Sequence, residues 1–76
     1  MLTAVTLAEI EKVFTVLERL GISREAVVIP LKPQTPGRVR RLPDGRFEII
    51  VESSVDVDDW LPELERQLRS LHAEED

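Results

Sequence analysis

The chain reads as an α+β domain: a small two-layer sandwich in the order α-β-β-β-α, its three-stranded, mostly antiparallel sheet carrying both helices on one face. Three observations predict this. Apolar residues recur at helical spacing near each end of the sequence. Between them lie a β-branched run and two alternating segments joined by Pro43-Asp44-Gly45, a hairpin turn signal. The length, 76 residues, suits a single domain over residues 1–76. Two helices flanking a small sheet pack most economically as two layers.

The first helix is signalled at both ends. Thr6-Leu7-Ala8-Glu9 has the capping-box pattern, with Thr6 as cap and Glu9 reaching back. Leu7, Ile10, Val13, Phe14, Leu17 and Leu20 then mark one apolar face. Gly21 stands where a left-handed residue ends a helix, and Ile22 is placed to touch Leu17 in a Schellman-type stop.

Ser23-Arg24-Glu25 turns the chain into the first predicted strand, Ala26 to Lys32. Alternation puts Val27, Ile29 and Leu31 on the core face, and Val28, Pro30 and Lys32 on the outer face. Pro30 cannot donate to a ladder, so an edge is expected there. Pro33 to Gly37 reads as a loop.

Arg38 to Leu42 and Arg46 to Glu52 form the hairpin arms. Phe47, Ile49 and Val51 alternate with Glu48, Ile50 and Glu52, so Ile50 stands on an otherwise polar outer face. The Arg38 arm alternates poorly: Val39 faces inward, Arg41 is ambiguous and Leu42 is out of phase. A bulge or an early end is expected near Arg41.

The second helix must accommodate Pro62. Proline fits the first turn, which argues for a cap at Asp58 or Asp59. Leu61, Leu64, Leu68 and Leu71, with Trp60, form the apolar stripe, and Glu65 and Arg69 an i,i+4 pair. Residues 1–5 and 73–76 are expected to fray.

Composition narrows the function. Without cysteine there is no disulfide framework and no thiolate metal site. No apolar run approaches the roughly 20 residues of a membrane span, and the first ten residues lack the basic start of a signal peptide, so a cytoplasmic protein is expected. The absence of Asn and the excess of eight Arg over two Lys fit a thermophilic source.

Charge is uneven within a net of −5. Residues 32–46 carry Lys32, Arg38, Arg40, Arg41 and Arg46 against Asp44, whereas residues 47–76 carry ten acids against two arginines. Arginine forks suit phosphates, so those five cations are the candidate anion-binding set. The competing reading is that they meet the protein's own carboxylates. No aromatic residue interleaves them to stack bases.

Catalytic material is scarce. His72, the single histidine, falls at a helix end, and Gly21, Gly37 and Gly45 are accounted for as turns rather than a phosphate cradle. Asp56, Asp58 and Asp59 have oxygen donors close in sequence but lack the glycine and closing glutamate of a calcium loop; helix capping suffices for them. No enzyme activity, metal or cofactor is expected.

The stretch Pro36-Gly37-Arg38-Val39-Arg40-Arg41-Leu42-Pro43-Asp44-Gly45-Arg46-Phe47-Glu48-Ile49-Ile50-Val51 resembles the hairpin before the active-site helix of the minigluzincins, small gluzincin-type zinc metallopeptidases. Their next helix carries H-E-x-x-H, two histidines holding zinc beside a general-base glutamate. Here that helix reads Leu64-Glu65-Arg66-Gln67-Leu68, with leucines at both histidine positions. The resemblance implies a scaffold of this type without catalytic machinery.

The expected function is therefore a non-catalytic interaction or self-associating module, a homodimer or a partner of another protein. Its contact face would be Val28, Pro30 and Ile50, rimmed by Lys32, Glu48 and Glu52. Edge-to-edge pairing of the third strand is a second route to a dimer. Nucleic-acid or anionic-ligand binding through the basic hairpin is the alternative.

Overall fold

A computed structural model of the chain describes residues 4–73. Helix α1 spans Leu7–Arg19, strand β1 Val27–Val28, β2 Arg38–Arg41, β3 Phe47–Ile50 and helix α2 Val57–Ala73, with a 3-10 turn at Arg24–Ala26. The predicted element order holds. Side chains from both helices and the sheet share one core, so the architecture is α+β with the helices on one sheet face.

Local signals set the ends of α1. The Thr6 hydroxyl accepts the Glu9 N–H at 3.2 Å, and the Glu9 carboxylate accepts the Thr6 N–H at 2.8 Å. At the other end the Ile22 N–H reaches the Leu17 carbonyl and the Gly21 N–H that of Glu18, the Schellman pair. Gly21 has φ +74°, which a Cβ would resist. Val13, Val16 and Leu17 are fully buried, whereas Leu7 is 71% exposed and leaves the predicted stripe. At the first helical position it lies beyond the core.

The sheet order is β1-β3-β2, with β1 parallel and β2 antiparallel to β3. It is mixed rather than mostly antiparallel, because the chain leaving β1 crosses β3 before returning as β2. β3 is the central strand with both edges paired, so it has none left for the edge-to-edge dimer considered above.

The predicted first strand contracts to Val27–Val28. Ala26 is drawn into the 3-10 turn, whose Glu25 N–H is held by the Ser23 hydroxyl. Pro30 has no N–H to continue the ladder. Leu31, assigned to the core face, is 57% exposed.

The crossing is built from specific bonds. On one side of the β3 continuation, the Gln34 N–H donates to the Val51 carbonyl and the Ser53 N–H to that of Gln34, each at 3.0 Å. Four residues later Arg38 is in register with Ile50 on the other side. The buried Gly37 passes between; a Cβ there would lie 2.5 Å from the Glu52 nitrogen. Glycine is required by that close approach.

β2 ends early, at Arg41 as anticipated, and the turn closes with the Gly45 N–H on the Leu42 carbonyl at 2.9 Å. Helix α2 begins at Val57, ahead of the predicted caps, so Pro62 is its sixth residue. Burial of Val57 and Trp60 holds that early first turn against the core. The N–H that proline lacks would have bonded the carbonyl of Asp58, an exposed residue.

Lys12 pairs with Asp58 at 2.9 Å and Arg19 with Glu65 at 3.6 Å. The partners advance by seven residues on each helix, so α1 and α2 run parallel. Their starts share one end of the domain with the exits of β1 and β3. Val5, expected to fray, belongs to that end: it is 7% exposed and donates its N–H to the Leu31 carbonyl at 2.8 Å. Residues 1–3 and 74–76, also expected to fray, lie outside the described residues. Each buried Leu, Ile, Phe or Trp contributes about 2–3 kcal/mol.

Candidate interaction surfaces

The outer sheet face differs from its sequence reading. Val28 and Pro30 are half-buried, but Ile50 is only 5% exposed, although it lies outside the helix-packed core. It adds almost no surface to the predicted contact. Beside it, Arg40 crosses to Glu48 at 2.6 Å, an ion pair in register across the two strands.

The five cations of residues 32–46 do not form one patch. Val39 packs against the core, so alternation sends Arg38 and Arg40 outward and Arg41 inward. The Arg41 guanidinium lies 5.4 Å from the centre of the Phe47 ring and donates to the Leu71 carbonyl at 3.1 Å. Leu71 is in the last turn of α2, where carbonyls carry the negative end of the helix dipole. Arg46 binds Asp44 within its own turn at 2.7 Å. The Arg46 N–H, followed by its guanidinium, lowers the Asp44 pKa. Lys32 and Arg38 make no ion pair among the described residues.

Gln67 had no sequence signal beyond its place on α2. Its side-chain oxygen accepts the Val39 N–H at 2.9 Å, and its amide donates to Glu63 at 2.9 Å. Val39 belongs to an edge strand whose N–H points away from β3, so Gln67 closes that edge to pairing. Glu63 also holds Arg66, and those donors, Arg66 first, lower its pKa to about 2.

Glu52 ties down the crossing. Its carboxylate accepts the Gly37 N–H at 2.7 Å and the Ser54 hydroxyl at 2.7 Å. The Gly37 bond, then those of Ser54 and Thr35, hold its pKa at about 2.

An open groove of about 450 Å³ lies on α2 beside α1. Leu61 and Pro62 line it with Arg19, Arg66 and Arg69 and the acids Asp58 and Glu65. Glu65 binds both Arg19 and Arg69, and Arg66 turns to Glu63, so its charges are mostly neutralised in place.

Among the described residues the large exposed aliphatic side chains are Leu7, Leu31 and Val55, the last 50% exposed. All three belong to the end where the helices start. Leu31 is hydrogen-bonded to Val5, two residues before Leu7, and Gln34 to Ser53, two residues before Val55. Among the described residues no His, Cys, Asp or Glu cluster is arranged to hold a metal ion, and no helix is long and apolar enough to cross a membrane. No family, curated protein or solved structure matches the chain.

Proposed function

We propose that this chain is a non-catalytic protein–protein interaction module, working in the cytoplasm by surface contact. The observation that carries this reading is the separation of surface types. The exposed aliphatics collect at the helix-start end, while Arg40, Arg41 and Arg46 of the basic segment are engaged within the fold. Exposed apolar surface at one end of a small domain supports docking to a protein rather than to a polyanion.

Lys32 and Arg38 favour the second reading, an anionic ligand or nucleic acid, because they lack acidic partners among the described residues. Two cations supply little of the phosphate contact that nucleic-acid binding needs. Sedimentation velocity and DNA and RNA gel shifts on the purified protein separate the readings. The interaction reading expects a concentration-dependent oligomer or a defined protein complex, without a shift; a monomer that shifts nucleic acid in a salt-sensitive way overturns it.

The minigluzincin-like reading enters as a scaffold only. Leu64 and Leu68, at the histidine positions of the zinc motif, are fully buried core side chains. Elemental analysis is expected to find no stoichiometric zinc.

A further inference from the structure

We infer that the open edge of β2 takes an extended acidic peptide, which adds a strand to the sheet beside α2. The inference rests on the interaction reading and adds a second surface and the class of its ligand. Of the two sheet edges β2 is the longer, four residues against two in β1. The Val39 N–H points away from β3 to the Gln67 side chain, and in a strand a residue's carbonyl points to the same side as its N–H. Among the described residues nothing donates to that carbonyl. An open hollow of about 230 Å³, lined by Val39, Arg66, Gln67, Ser70 and Leu71, lies between this edge and α2. An incoming strand can replace the Gln67 oxygen on the Val39 N–H with its own carbonyl and give an N–H to the Val39 carbonyl. The exchange keeps one bond and adds another. The peptide residue opposite Val39 shares its face of the sheet, so an aliphatic side chain there enters the hollow against Val39 and Leu71. Charge selects the occupant. Glu48 holds Arg40, Glu63 holds Arg66, and Glu52 is held by Gly37 and Ser54. Arg38 is left exposed and, among the described residues, without an ion pair. An acid opposite Arg38 on the added strand fills that place. A second copy does not, because β2 against β2 would bring arginines up against arginines.

The test titrates the full chain with a labelled peptide alternating glutamate and valine, followed by fluorescence anisotropy and by hydrogen exchange at the Val39 amide. This peptide is expected to bind about tenfold more tightly than its lysine–valine counterpart and to slow exchange at Val39. Arg38→Glu, at an exposed position that should keep the native circular dichroism, is expected to reverse that preference. The same charge change at Arg24, outside the groove, should leave the preference standing. Gln67→Ala removes the group that the peptide displaces, so the glutamate peptide should bind about fivefold more tightly. No binding, equal binding of the two peptides, an unmoved Val39 amide, or loss of binding in Gln67→Ala overturns the inference. So does nucleic acid that displaces the peptide, or protection of Val39 that comes from self-association alone. Failure here leaves the interaction reading on the helix-start end, whose own test is the concentration-dependent complex; a monomer that shifts nucleic acid in a salt-sensitive way removes both.

Discussion

The Glu52 carboxylate accepts the backbone N–H of Gly37 at 2.7 Å, joining the crossing segment to the strand it passes. Topology makes a crossing necessary, and the chain makes it at close range. β1 and β2 flank β3, so their connection must cross it, and at Gly37 it does so against the backbone that continues β3. A Cβ at Gly37 would stand 2.5 Å from the Glu52 nitrogen and 2.7 Å from its Cα, neither the end of a flexible side chain. Gly37→Ala is therefore expected to lose about 2–3 kcal/mol by overpacking, measured as a drop in urea midpoint at unchanged slope. A melt like that of wild type would refute the close crossing.

Acid should weaken the domain through two carboxyls. Glu52 and Glu63 are lowered from an ordinary 4.5 to about 2 in the folded chain. Each then binds a proton more readily when unfolded, so its contribution is complete above pH 4.5 and drains as pH falls toward 2. Glu52→Gln should flatten the stability curve in that window, and adding Glu63→Gln should flatten it further. A double variant with the wild-type slope between pH 4.5 and 2 would contradict both assignments.

Gln67→Ala leaves the Val39 N–H without its acceptor and is expected to cost about 1–2 kcal/mol. It also uncovers an edge strand, so aggregation on mild heating should rise. Gln67→Glu keeps an acceptor for Val39 but sets a second carboxylate beside Glu63, so its loss should shrink at low pH. Equal behaviour of the two variants across pH would rule out this division of roles.

Ile50→Lys separates a buried residue from a contact residue. With 5% of its surface exposed, Ile50 should not tolerate a lysine, and the variant is expected to lose several kcal/mol. Val28→Lys, at a half-buried edge position, should cost less. A fully stable Ile50→Lys chain that no longer self-associates would return the contact to the outer sheet face.

Leu64 has no exposed surface in the core between the helices and the sheet. Leu64→Ala is expected to cost about 2–5 kcal/mol, and Leu64→Asp to leave the chain unfolded by circular dichroism. A folded Leu64→Asp chain would move the α2 stripe out of the core.

The elements that sequence reading placed well are those decided by near neighbours. The α1 capping box spans four residues, its Schellman stop six, and the Pro43-Asp44-Gly45 turn is closed by residues beside it. The errors lie where distant segments compete. Alternation placed Ile50 correctly on the outer face but could not show that it is sheltered there. Arg41 is ambiguous by alternation because its position depends on Phe47 and the end of α2, thirty residues from it at Leu71. Pro62 argued for a later helix start, and burial of Val57 and Trp60 outweighed it.

The basic segment shows the same division for function. Its five cations are legible in the sequence, but their partners are not: Arg40 finds Glu48 across a strand pair and Arg41 finds a helix end. Sequence by itself determined two capped amphipathic helices, a hairpin and an α+β class, because caps, periodicity and turns act over a few residues. Tertiary structure alone decided that β1 joins β3 in parallel, that the chain crosses β3 at Gly37, and that exposed aliphatics gather where both helices begin. Those outcomes depend on which distant surfaces bury each other best, and local pattern does not encode that competition.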